Sequence, residues 1–249
     1  MGELVVCPSG LSGRMRGMKV REERILADRR KVRDGGGLDA LLAACWETTE
    51  DDGPYNFAGA PPDWGKVLQG DRFYALLMLR ALTYGAEYAF SVCCRSCRSR
   101  FEWELDLRDL PVKHLPAASR EAFAAGNRIV TELPGCGRKV TWSLPTGADE
   151  ALAAKVGETV GDRVLSAMLA MRVKDVEGLA AKDRRAFLED LSMGDAAFLM
   201  SAFEDADCGV DTRVEVECPR CLEVQDVDLP FGPGFLLPSP GRPATRSRT

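Results

Sequence analysis

Histidine is almost missing from this chain. Among 249 residues the single example is His114, set between Lys113 and Leu115 next to two prolines, where an exposed connector residue is expected. One imidazole all but removes catalytic triads and histidine-ligated metal sites from consideration. A Walker-type G-x-x-x-x-G-K-[ST] loop is absent, and no G-x-G-x-x-G stands between a strand and a helix. Gly35-Gly36-Gly37 therefore reads as a helix break rather than a phosphate cradle. Acidic residues are many, yet no pair stands out as acid and base. No apolar run approaches the ~20 residues that span a bilayer, and the N-terminus shows no charged-then-apolar leader. These absences argue against an enzyme and against a membrane partner, and they place the chain in the cytoplasm.

Positive charge is also in deficit. The formal net charge is −5, which argues against a general nucleic-acid binder. The chain is 45% hydrophobic, enough for a sizeable core without help from a metal.

What the sequence does hold is cysteine, at positions 7, 45, 93, 94, 97, 136, 208, 218 and 221. An odd count with two Cys-x-x-Cys pairs favours a metal plus spare thiols over a disulfide framework. The pairs lie in two segments that resemble one another. Phe90-Ser-Val-Cys-Cys94-Arg-Ser-Cys97 leads into Phe101-Glu-Trp-Glu-Leu105. Val214-Glu-Val-Glu-Cys218-Pro-Arg-Cys221 leads into Val224-Gln-Asp-Val-Asp-Leu229. A shift of 124 positions superposes Val92 on Val216, the cysteines on the cysteines, and Leu105 on Leu229. Each segment reads as strand, tight turn with two thiols, strand.

Such a turn directs two thiolates at one ion, and two turns complete a closed tetrahedral site for structural zinc. Cys94, Cys97, Cys218 and Cys221 are the expected ligands. Cys93 aligns with Glu217 and is expected to be a spare. Cys136 and Cys208 are the alternative partners each pair could find. Four thiolates on one zinc leave a charge of −2, which Arg95, Arg98, Arg100 and Arg220 could offset. Buried inert thiols, or a redox pair, are the other readings of these cysteines.

The remaining pattern suggests helices over Lys19–Arg33, Leu38–Glu47 and Arg72–Tyr84, the last capped by Asp71. An ordered loop is expected over 48–66, pinned by Tyr55, Phe57 and Trp64. Pro116–Ala125 reads as a short helix, and Ile129–Leu133 with Lys139–Leu144 as a hairpin. Helices follow at Asp149–Val156, Asp162–Val173, Asp183–Leu191 and Asp195–Glu204, with a capping box over Ser192–Asp195.

The fold class is therefore α+β: split zinc-ribbon-like β-hairpins with a mainly helical insertion and an N-terminal helical region. The expected units are 1–85 (N-terminal strand and helix region), 86–110 (first knuckle hairpin), 111–209 (connector, hairpin and helical insertion), 210–237 (second knuckle hairpin) and 238–249 (disordered tail). A basic stretch containing Arg14, Arg16, Arg21 and Arg24 reads as a solvated helix face, with Glu22, Glu23 and Asp28 at pairing distance, or as a docking face for an acidic protein partner.

Several segments together resemble the baseplate hub assembly chaperones of T-even-type contractile phages and their prophage-like relatives. They are Cys7-Pro-Ser-Gly-Leu11 with Arg16-Gly-Met-Lys-Val-Arg-Glu-Glu-Arg24, Gly70-Asp-Arg-Phe-Tyr-Ala-Leu-Leu77 through Tyr84-Gly-Ala-Glu-Tyr88, and Phe187-Leu-Glu-Asp-Leu-Ser-Met-Gly-Asp195 through Asp207-Cys-Gly209. Position 7 departs from the family pattern, which has Leu before Pro-Ser-Gly. The resemblance implies a non-enzymatic factor that binds hub or other tail proteins while a contractile tail is built in the host cytosol. It carries over no active-site residue. The competing expectation is a zinc-ribbon nucleic-acid-binding or transcription-associated protein, supported by the knuckles and the basic stretch.

Overall fold

The N-terminal sheet forms from three short strands, β1 (Glu3–Val6), β2 (Ser12–Met15) and β3 (Trp46–Asp51), paired antiparallel in that order. The computed structural model describes residues 2–28, 36–160, 164–231 and 235–236. The expected tail at 238–249 lies outside them, as do residues 29–33 of the first expected helix, Gly35, and the start of the helix expected at Asp162. What is described is an α+β arrangement of helices and small antiparallel sheets around three apolar clusters.

Three local expectations change in the first third of the chain. The described part of Lys19–Arg33, residues 19–28, holds a 3-10 turn at Val20–Glu22 and a short helix, α1 (Glu23–Ala27). Ile25 and Leu26 are too few to make a stripe that packing could reward. Trp46–Asp51 is a strand, although Trp46 and Glu47 read as the end of a helix and Thr48–Asp51 as the start of a loop. Pairing with β2 and the β-branched threonines hold it there. Gly13 permits that pairing, because a Cβ on it would stand 2.3 Å from the Thr48 carbonyl oxygen. Third, α3 (Gln69–Tyr84), which follows α2 (Gly36–Cys45), starts at Gln69, so Asp71 is not its cap. Asp71 is buried inside the first turn.

Helix α3 is the axis of the structure. Ala75 and Leu79 face the N-terminal cluster of Leu11, Met15, Leu41, Leu42 and Val67. Leu77 faces the cluster beneath the two cysteine hairpins. The first hairpin is β4 (Glu87–Cys93) with β5 (Arg100–Asp106). The chain then runs through β6 (Val112–Lys113) and α4 (Ala117–Ala124) into a second sheet. That sheet holds β7 (Ile129–Glu132), β8 (Lys139–Trp142) and β9 (Val173–Val176). The strand β9 turns the expected hairpin into three strands. It follows α5 (Gly147–Val160) and α6 (Val164–Arg172), and its buried Val173 and Val176 join the central cluster.

Next come α7 (Arg184–Glu189) and α8 (Met193–Ala206), whose N-cap Ser192 accepts from the Asp195 N–H. The capping pattern is thus present in its hydroxyl half. Then β10 (Gly209–Val210) pairs with β6, which brings both ends of the intervening segment together. This is why β11 (Arg213–Glu217) and β12 (Val224–Asp228), the second hairpin, arrive beside the first.

Candidate metal centre

Each hairpin ends in the same turn. In the first, the Cys94 N–H donates to the Ser99 carbonyl and the Arg98 N–H to the Cys94 carbonyl. In the second, the Cys218 N–H donates to Glu223 and the Leu222 N–H to Cys218. Arg98 (φ 59°) and Leu222 (φ 62°) occupy the same left-handed position, one residue after the second cysteine. The sequence duplication is therefore also a backbone duplication.

The turns meet through their sulfurs. The Sγ atoms of Cys94, Cys97, Cys218 and Cys221 all lie within 4.8 Å of one another. Cys94 to Cys221 is 3.6 Å and Cys97 to Cys218 is 3.7 Å. A tetrahedron with metal–sulfur bonds of ~2.3 Å requires sulfur–sulfur edges of about 3.8 Å. The donor set thus fits one metal ion bound by all four thiolates. Cys93, Cys136 and Cys208 lie outside the cluster.

The electrostatics suit a cation as well. The Ser99 hydroxyl, 3.4 Å away, and the backbone N–H groups of Cys221 and Arg220 hold the Cys218 thiol down to about 6. For Cys221 the Glu223 backbone favours the thiolate, but burial and the neighbouring sulfurs push it up to about 12. Four thiols this close cannot all ionise alone, and a divalent cation removes that conflict.

Gln225 braces the junction, and nothing in its sequence context marks it. It is buried. Its side-chain oxygen accepts from the Arg95 N–H at 2.8 Å, and its amide donates to the Cys93 carbonyl at 3.3 Å. In the first hairpin the equivalent position is Phe101, so this bridge runs one way only. Below it, Phe90, Val92, Leu107, Val216 and Leu229 form the shared core with Leu77.

A second junction escapes sequence reasoning entirely. Ser9 donates to Asp71 through its N–H at 2.9 Å and through its hydroxyl, and the Tyr55 hydroxyl donates to the same carboxylate at 2.6 Å. Burial raises the Asp71 carboxyl above its usual range despite these donors. The adjacent Arg72 is buried and pairs with Asp39 of α2 and, at 2.9 Å, with Glu150 of α5. It also donates to the Trp64 carbonyl at 2.6 Å. A second buried cation, Arg172, makes a bidentate pair with Asp207 at 2.6 and 2.7 Å and stacks on Phe203. Two segments singled out above, Cys7–Leu11 and Gly70–Leu77, thus meet directly through Ser9 and Asp71.

The arginines proposed as a docking face are dispersed. Arg14 pairs with Glu50 at 2.7 Å. Arg16 turns inward, to Glu22 at 3.0 Å and the Ala44 carbonyl at 2.5 Å. Arg21 reaches the same Glu22 at 2.9 Å, and Arg24 is exposed. Burial would raise the Glu22 carboxyl, but Arg16, the Lys19 N–H and Arg21 bring it down to about 2. His114 is exposed on the connector after β6.

The chain is an α+β protein held by two junctions, and at one of them four thiols lie close enough together to hold a metal ion. Comparison with known families makes this specific. The model of the T4 bacteriophage base plate protein family matches residues 3–233. The chain belongs to that family, and its role is structural or assembly-related in a phage baseplate. No curated protein and no solved structure shows significant similarity to it. No helix among the described residues is long and apolar enough to cross a membrane.

Proposed function

We propose that the protein is a non-enzymatic component or assembly factor of the baseplate hub of a contractile tail or related injection particle. It acts by binding other hub or tail proteins, and it does so in the host cytosol while the particle is built. The observation that carries this reading is the family match over residues 3–233. Structural zinc at Cys94, Cys97, Cys218 and Cys221 fits the role, because a closed four-thiolate site offers no open position for substrate or water. The metal then fixes how the β4–β5 and β11–β12 hairpins are joined. Arg14, Arg21 and Arg24 are candidate contacts for acidic groups on a partner, with Arg16 holding their backbone through Glu22.

The test is deletion of the gene from its phage or prophage, with particles imaged by electron microscopy. Tails lacking complete baseplates are expected; intact, infective tails would overturn the proposal. Elemental analysis of the purified full chain should give about one zinc per molecule. Tight, salt-dependent binding of DNA or RNA would favour the nucleic-acid reading instead.

A further inference from the structure

Helix α8 lies on the surface without a surface helix's composition. Ala196, Leu199 and Phe203 face the central cluster. The opposite face carries Met193, 72% exposed, Phe198, 42% exposed, and the exposed Gly194, Ala197 and Ser201. From Met193 to Phe203 the one charged residue is Asp195, which is buried and accepts from the Gly135 N–H at 2.7 Å. Exposed helix faces are ordinarily charged or polar, and a helix that is apolar on all sides is covered on all sides. Single exposed apolar residues need no explanation. Here, however, positions 193/194, 197/198 and 201 are successive turns of one stripe.

The stripe ends in charge of one sign. Glu204 and Asp205 are exposed in the last turn, which has no basic residue. Lys113 donates to the Glu204 main-chain carbonyl rather than to its carboxylate. Carboxylates beside the negative end of a helix dipole are unfavourable in the isolated chain, and a cation from elsewhere would offset both.

We propose that this face of α8 binds an amphipathic helix of another tail protein. The partner's apolar side packs on Met193 and Phe198, and a Lys or Arg at its end meets Glu204 and Asp205. Gly194, Ala197 and Ser201 let the two backbones approach to the ~8 Å of close helix packing. Methionine and phenylalanine are the side chains enriched at the cores of such contacts. A second copy of this chain is the poorer occupant, because its own α8 carries no Lys or Arg to meet Glu204 and Asp205. The inference rests on the reading of the chain as a protein-binding baseplate component.

The test places a benzophenone photocrosslinker at position 198 of the full chain, in cells producing particles, with position 215 on the outward face of β11 as control. Position 198 is expected to crosslink to one tail protein, at a helical peptide with an apolar face and a basic end. Crosslinking to a second copy, to nucleic acid, or to nothing overturns the proposal. Phe198→Glu and Met193→Glu should each lower particle yield at least about tenfold with unchanged thermal unfolding, whereas Phe198→Leu should retain yield. If gene deletion leaves particles intact, the functional reading fails. If deletion abolishes particles and Phe198→Glu restores them fully, only the α8 surface fails.

Discussion

Two junctions hold this molecule together by opposite chemistry. At the cysteine clasp, soft sulfur donors from residues 94–97 and 218–221 converge on one point. At the N-terminus of α3, hard oxygen and nitrogen groups from five separate segments converge on Asp71 and Arg72. The clasp repeats one local motif twice, and an ion is the natural link between the copies. The α3 junction repeats nothing, and its protein groups satisfy one another. The clasp should therefore fail when metal is withdrawn, and the α3 junction should fail only when one of its own groups is removed.

The largest effect expected separates the two directly. Cys94→Ser, or a strong chelator, should abolish metal binding and lower the melting temperature of the full chain by more than about 10 °C. Cys93→Ser should keep the metal, because Cys93 lies outside the four-sulfur cluster. Elemental analysis and calorimetry read both outcomes. Loss of metal in Cys93→Ser would mean the clasp uses a different ligand set.

The same contrast explains what could be read in the sequence. Cys-x-x-Cys is a short-range signal, so the two hairpins and the meeting of Cys94, Cys97, Cys218 and Cys221 were accessible from residues three apart and a shift of 124. The α3 helix was accessible because Phe73, Leu76, Leu77 and Arg80 recur at helical spacing. Ser9, Tyr55, Asp71 and Arg72 have no mutual spacing, and only the tertiary fold brings them together. Asp71 before a helix looks like a cap, and burial by Ser9 and Tyr55 gave it another task. Strand β3 was hidden by its acids, and β9 by the helix that runs into it.

Next in size is Arg72→Met, which tests the α3 junction without touching the clasp. It removes the Arg72 donor from Asp39, and leaves Glu150 to the Gln69 amide and the Trp64 carbonyl to the Val67 N–H. Breaking a buried ion pair costs about 3–5 kcal/mol, and Asp39 and Glu150 are each about one-third exposed (32% and 35%), so the low end is expected. Urea unfolding should show that loss while zinc content stays at the wild-type value. A fall in zinc content as well would show that the two junctions are coupled through α3. Smaller again is Gln225→Leu, which orphans the Arg95 N–H and the Cys93 carbonyl. About 1–2 kcal/mol should be lost, and chelators should strip the metal faster, because the turns lose their direct hydrogen-bonded brace.

The finest test sets one buried carboxylate against another. Glu22 is held by cations and titrates at about 2, below its ordinary 4.5. Its stabilisation is therefore present above pH 4.5 and is lost as pH falls toward 2. Asp71 is held mainly by neutral hydroxyls and an N–H, with a weaker attraction from Arg120, and burial raises it above its ordinary 3.8. Its contribution runs the other way: it is fully present below pH 3.8 and declines as pH rises through the raised value. Wild type minus variant isolates each group, because acid release of the metal is common to both chains. Relative to wild type, Glu22→Gln should lose stability as pH rises from 2 to 4.5 and then stay level. Asp71→Asn should gain relative stability as pH rises above 3.8. Neither slope can exceed about 1.4 kcal/mol per pH unit. Urea midpoints between pH 2.5 and 7 measure both. Parallel slopes would mean that Asp71 has a cationic partner, and the α3 junction would then be ionic at both of its adjacent residues.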